Sequence, residues 1–172
     1  MPELKEVRPE EFKLSPFQAI GKDWMLIAAE KDGRTNAMTA SWGGLGVMWN
    51  KNAAFMVIRP QRFTKEFVDG SATFSLNFFD ETRRKDLEYF GTVSGRDEDK
   101  IAKTGLTVAH ADGAPYFAEA SAAVLCRKLF AQPYVEGSFI DAEPVKSCYP
   151  NRDFHILYVG EVLRLFAREG RF

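Results

Sequence analysis

Histidine and cysteine are both scarce, with two of each in 172 residues. His110, His155, Cys126 and Cys148 show no metal-ligand spacing, which argues against a zinc-type centre, so no metal is expected. Two cysteines make no disulfide framework. Cys126 lies in a strand-like run and reads as a buried free thiol. Charge of one sign is also lacking. A formal net charge of −1 is far from the basic excess of a general nucleic-acid binder. No apolar run approaches the ~20 residues that span a bilayer, and no basic N-terminal stretch leads into a long apolar one. The expectation is a cytoplasmic protein of a reducing compartment, with neither membrane nor nucleic acid as partner. There is no G-x-G-x-x-G, no Ser/His/Asp or Cys/His arrangement, and no carboxylate pair marked as acid and base. Any enzyme chemistry is therefore expected on a cofactor.

What the chain does have is aromatic weight: 13% of residues, 15 of them Phe, which suits a sheet-rich core. The length is that of one domain, read as 1–172, with 1–17 as a charged, proline-punctuated arm or strand lead-in. Strands are predicted at Trp24–Ala29, Asn36–Trp42, Ala53–Ile58, Thr73–Phe79, Ala122–Phe130 and Phe154–Phe166. Lys31-Asp32-Gly33 reads as a hairpin turn. Two helices are predicted late, Glu81–Phe90 capped by Asp80 and closed by Gly91, and Glu98–Thr104 capped by Asp97 and closed by Gly105. Short strands joined by turns favour a mainly β fold, an antiparallel barrel with flanking helices, over a doubly wound sheet.

Four segments could carry chemistry. In Asn36–Gly44, Asn36, Met38, Ala40 and Trp42 share one strand face and Ala37, Thr39 and Ser41 the other. So small and hydroxyl-rich a strand lets a ligand or another backbone come close; a tight barrel strand with a bulge at Gly43-Gly44 would look the same. Ala53–Ile58 runs into Arg59-Pro60, then Arg62, and Thr64 reads as the cap of a short helix ending at Gly70. Two guanidiniums beside a helix N-terminus suit a phosphate, although a solvated turn with an ordinary cap fits these residues too. Gly91, Ser94 and Gly95 form a permissive loop into the helix that carries Lys100, a residue poorly placed at a positive helix end unless an anion or Asp97 compensates it. His155 enters the last strand beside Asp153.

Together NAMTASWGG (36–44), IRPQRFTKEFV (58–68), TFSLNFF (73–79), SGRDEDK (94–100), CRKLFAQ (126–132) and RDFHILYVGEV (152–162) resemble the flavin reductase-like FMN-binding split-barrel family, within it the flavoredoxin-like branch. The resemblance implies an FMN-binding split β-barrel, a homodimer with one FMN per subunit. It places Asn36 and Trp42 against the isoalloxazine, with Met38, Thr39, Ala40 and Ser41 beside it. It places Arg59, Arg62, Thr64 and Lys100 at the phosphate, and Asn77, Ser94 and Gly95 near the ribityl chain or ring edge. His155 matches a histidine close to the flavin in many relatives and is the catalytic candidate. This chain has Asp153-Phe154-His155 where many of them have Gly-Asp-His. The activity implied is an NAD(P)H-dependent flavin reductase, with NADH or NADPH a transient donor and a second flavin, an iron centre or a redox partner protein as acceptor. The alternative is an electron carrier of the flavoredoxin type, without nicotinamide activity of its own.

Overall fold

The computed structural model describes residues 3–170. Strand β1 is Lys5–Glu6, and a short helix α1, Pro16–Gly21, follows. Then come β2 (Met25–Lys31), β3 (Arg34–Ala40), β4 (Gly43–Met48) and β5 (Lys51–Ile58). Helix α2 is Phe63–Gly70, and β6 is Thr73–Phe78. Helices α3 (Arg84–Thr92) and α4 (Lys100–Thr104) precede a small hairpin, β7 (Val108–Ala111) with β8 (Ala114–Phe117). The chain ends with β9 (Ala122–Pro133), α5 (Glu143–Cys148) and β10 (Ile156–Ala167).

The main sheet runs β3-β2-β6-β9-β10-β5-β4, all neighbours antiparallel, with β1 added to β10. Its two edge strands, β3 and β4, are consecutive in the chain and are joined by Ser41-Trp42 alone. The mainly β barrel with flanking helices is thus split where the small-residue strand lies. β9 and β10 are 12 residues each, and their pairing shifts register at Val159/Gly160 and at Val162/Arg164. Such bulges bend a long strand, letting these two serve both sides of the barrel.

Alternation in β6 works as expected on one side. Phe74, Leu76 and Phe78 enter the main core with Ile27, Met56, Tyr158 and Leu165. On the other side, Ser75 and Asn77 are fully buried because the β7–β8 hairpin covers them: Ser75 Oγ donates to the Pro115 carbonyl, and Asn77 Oδ1 accepts from the Phe117 amide. The hairpin turns of β2–β3 and β7–β8 place Asp32-Gly33 and Asp112-Gly113 at positive φ, and the β4–β5 turn does so with Trp49-Asn50.

Local boundaries differ from the sequence expectation at several points. Helix α3 starts at Arg84, after a separate 3-10 turn at Glu81–Arg83, and runs through Gly91 to Thr92 instead of closing at Gly91, while Trp24 and Trp42 fall just outside β2 and β3. Arg62, not Thr64, stands at the N-cap of α2: Phe63 packs on the core and edge-on to Phe67, starting the helix earlier and carrying Thr64 inside it. Asp99, not Asp97, caps α4, its side chain accepting from the Ala102 amide. The amides of Asp97 and Glu98 are already taken by the Ser94 carbonyl in a turn. Phe154 lies outside β10 and packs on Tyr149 rather than sharing a face with Ile156.

Candidate functional site

A cleft of about 430 Å³ opens at the split. One wall is the end of β3 and the link to β4: Met38, Thr39, Ala40, Ser41 and Trp42. The other is the β5–α2 turn, Arg59, Gln61 and Arg62, together with Val57 and His155. A second chamber of about 300 Å³ lies on the other flank of Thr39–Ser41, lined by Trp24, Leu87, Glu88, Gly91 and Thr92. Residues with small side chains thus separate two spaces, as the sequence of β3 allows. Thr39 is tied down by donating its hydroxyl to the Leu87 carbonyl at 2.5 Å.

The cations of the site have unequal partners. Arg59 pairs with Asp153 at 2.5 Å, donates to the Cys148 carbonyl and lies 5.3 Å from the centroid of the Tyr149 ring. Gln61 also donates to Asp153, whose other oxygen is buried without a hydrogen-bond partner. These bonds hold the Asp153 carboxyl below the usual carboxylate range. Arg62 instead donates to the carbonyls of Gly91 (3.0 Å) and Thr39 (3.4 Å). Lys100 is 4% exposed; its ammonium donates to the Phe90 carbonyl and sits over the Phe90 ring. Among the described residues neither Arg62 nor Lys100 has a carboxylate partner. Burial and the neighbouring Arg59 lower the pKa of Arg62, while burial and Arg62 lower that of Lys100 to about 8. A buried ammonium beside a half-buried guanidinium, with no counter-charge, is costly, and an anion would relieve both.

Not every predicted residue reaches the cleft. Asn36 and Thr64 are buried and paired, Asn36 Nδ2 donating to Thr64 Oγ1 at 2.8 Å. Gly95 presses on the same pair, since a Cβ there would stand 2.2 Å from Asn36 Oδ1. Asn36 therefore ties β3 to α2 and the 94–97 loop. Asn77 bonds the Leu26 carbonyl, Ser75 and the Phe117 amide, and Ser94 closes its own turn by accepting from the Arg96 amide. Met38, Thr39, Ala40, Ser41, Trp42, Arg59, Arg62 and His155 are brought together at the cleft; Lys100 lines neither space and is buried near Arg62. Sequence reasoning missed Gln61 and Tyr149. Gln61 joins the site through a hydrogen bond to Asp153, 92 residues on, and Tyr149 through one to His155 across the loop that precedes β10.

His155 is buried against Trp42, ring centroids 5.0 Å apart, and its Nδ1 is hydrogen-bonded to the Tyr149 hydroxyl at 2.8 Å. Burial, Arg59 and Arg62 outweigh the pull of Asp153 and lower its pKa from 6.5 to about 4. The sign follows: between pH 6.5 and 4 the unfolded chain binds a proton that the folded one refuses. Unfolding free energy should therefore fall by on the order of 2 kcal/mol as pH drops through that window, and His155→Gln should flatten the curve, as followed by denaturant titration.

Among the described residues no His/Cys/Asp/Glu cluster could hold a metal, and no helix is long and apolar enough to cross a membrane. A sequence model described as the flavin reductase like domain matches residues 17–172. No curated protein matches the chain. Similar solved structures include flavoredoxin from Methanosarcina acetivorans, 22% identical with a TM-score of 0.68, covering 86% of this chain and 69% of that one. Another is the FMN-binding domain of a flavin reductase-like enzyme from Shewanella baltica, 17% identical, TM-score 0.70, covering 98% and 79%. A third is an NADH:FAD oxidoreductase from Streptomyces globisporus, solved with NAD and FAD fragments, 16% identical, TM-score 0.63, covering 87% and 77%. At these identities the likeness is one of fold, the split barrel.

Proposed function

The chain belongs to the flavin reductase-like domain family, and on that premise we propose that it binds FMN in the cleft at the barrel split and works as an NAD(P)H-dependent flavin oxidoreductase. One observation carries the cofactor reading. Arg62, half-buried in the cleft wall, and Lys100, buried beside it, have no carboxylate partner among the described residues, and the cleft is walled by small residues and an indole. Their donor chemistry fits a phosphate monoester. Arg62 and Lys100 would hold the phosphate, and Thr39, Ala40, Ser41 and Trp42 would flank the ring. When bound, FMN supplies the capacity to take electrons from a nicotinamide and pass them on.

The side chains have smaller tasks. Arg59, whose charge is offset by Asp153, braces the cleft wall, and Arg62, bonded only to carbonyls, supplies the positive potential there. Such a group favours an anionic donor and any negative charge that develops there. His155 is neutral near pH 7 and so offers hydrogen bonding rather than charge. Trp42 packs on it at a tilt, ring centroids 5.0 Å apart.

The test is an absorbance spectrum of the purified protein, then anaerobic titration with NADH and with NADPH. Bleaching of a bound flavin band by either nicotinamide is the expected result. A flavin band that neither donor bleaches would leave the electron-carrier alternative. A colourless protein that refuses added FMN would remove the flavin reading.

We further propose a homodimer. Val47 and Trp49, at the end of the β4–β5 hairpin, are 69% and 55% exposed, and Phe130 and Leu163 are also exposed. Trp49 and Phe130 are ring neighbours at 6.1 Å. Apolar groups so grouped favour a protein partner, here a second copy. Light scattering should give about twice 19.4 kDa, and Val47→Asp with Trp49→Asp should give the monomer mass.

A further inference from the structure

The connection between β9 and β10 carries its own aromatic cluster. Tyr149 meets Phe154 at 4.9 Å and Phe139 at 5.9 Å, and Tyr134 meets Phe139 at 6.0 Å. The Arg59 guanidinium lies over the Tyr149 ring, and only 3% of Tyr149 is exposed. A side chain so packed has little freedom. Its hydroxyl meets Nδ1 of His155 at 2.8 Å and also accepts from the His155 backbone, so Nδ1 is the acceptor left for the phenolic proton.

Proton accounting gives that bond a direction. A phenol has one proton to donate, and among the described residues the Tyr149 hydroxyl has no hydrogen-bond partner but His155. If Nδ1 carried the ring proton and donated it, the phenolic proton would be buried without an acceptor, which native structures avoid. If the phenol donates, both groups are satisfied, and the neutral imidazole carries its proton on Nε2. Nε2, on the far side of the ring from Tyr149, is left for the cleft that His155 lines.

We infer that Tyr149 is a positioning residue, holding His155 as the Nε2–H tautomer so that the cleft receives an N–H donor instead of a lone pair. The ligand atom this suits is an uncharged or anionic acceptor, such as a carbonyl oxygen of a heteroaromatic ring or of a carboxamide. Identifying that ligand as flavin or nicotinamide rests on the function proposed above; the tautomer does not. The surroundings keep the ring neutral. Arg59 and Arg62 oppose a second proton, Asp153 alone favours it, and burial holds His155 down to about 4. Burial also raises the Tyr149 pKa, so the phenol keeps its proton at neutral pH.

Long-range 1H–15N spectra of the 15N-labelled full-length protein at pH 7 test this. The expected wild-type pattern has Nε2 protonated and Nδ1 bare. Tyr149→Phe should move the population toward Nδ1–H, with the melting temperature little changed and the ring still neutral at pH 7, because burial, Arg59 and Arg62 remain. A wild-type ring protonated on Nδ1, or a tautomer unmoved in Tyr149→Phe, overturns the inference. The wild-type spectrum decides even if that variant fails to fold. FMN titration adds a rescue test. His155→Ala should weaken binding several-fold, and His155→Gln, whose amide N–H replaces Nε2–H, should recover part of it; equal loss in both would overturn the donor role. Absence of FMN binding by the wild type would defeat the flavin reading while leaving the tautomer result standing.

Discussion

Lys100→Met should strip the protein of FMN and, in the same variant, raise the melting temperature of the flavin-free form. The two effects share one cause. The Lys100 ammonium is buried with a backbone carbonyl as partner and Arg62 as its charged neighbour, so charging it costs stability in the empty protein. An apolar chain of similar length removes that cost. It also removes a charge-assisted bond to the phosphate, worth about 1.5–3 kcal/mol, or roughly a ten- to hundredfold loss of affinity. Arg62→Met should act the same way on binding, with less gain in stability, because Arg62 also bonds the Gly91 and Thr39 carbonyls. Fluorescence titration with FMN and a thermal melt of the apo form read both signs. A variant that melts lower and binds normally would show that Lys100 is merely structural.

The pH dependence adds a signature. The folded pKa of Lys100 is about 8, below its ordinary 10.5. Between those values the unfolded chain keeps a proton that the folded one has lost, so apo stability rises with pH in that window. Binding runs the other way. A phosphate favours the charged amine, and FMN affinity should fall as pH rises above about 8, with proton uptake on binding visible by calorimetry in different buffers. A phosphate monoester also loses charge below pH ~6, so affinity should be greatest between these limits. In Lys100→Met the alkaline limb should disappear.

The largest effect on stability is expected at Gly160→Val. Gly160 lies in β10, at a register shift against β9. A Cβ there would stand 2.6 Å from the Phe74 ring and 2.8 Å from the Cys126 Cβ, both in the main core. Neither can swing aside, because Phe74 and Cys126 are themselves fully buried and their strands pair directly. Overpacking of this kind costs roughly 3 kcal/mol or more, and a valine adds two further methyls. Urea unfolding should show that loss, or no folded protein. Gly160→Ala should fall between. Little change in either would mean that β9 and β10 separate more easily than their pairing suggests.

Periodicity and turn chemistry carried much of the fold. The alternation of Phe74, Leu76 and Phe78 marks one core face wherever the strand sits, and Asp32-Gly33 needs only its own backbone to form a hairpin turn. Strand β4 was not legible. Its sequence, GGLGVM, has neither β-branched runs nor alternation, and it is a strand because β5 offers it a partner. The β7–β8 hairpin was missed although Asp112-Gly113 carries the same turn signal as Asp32-Gly33, because its strands are four residues each and depend on covering Ser75 and Asn77.

The site divides in the same way. The sequence by itself determined which groups were available: a strand of small residues followed by Trp42, two arginines in a turn, one lysine in a loop-helix segment and a lone histidine just before the last strand. Residue type and local spacing suffice for that, because they depend on neighbours in the chain. Tertiary structure decided which of them serve the cleft and which serve the frame. It folded Asn36, Thr64 and Asn77 into buried hydrogen bonds, left Arg62 and Lys100 without a counter-charge, gave Arg59 to Asp153, and set Tyr149 on His155. Those outcomes rest on contacts between segments 6 to 94 residues apart, where solvent exclusion and hydrogen-bond partners are set by packing and not by local pattern.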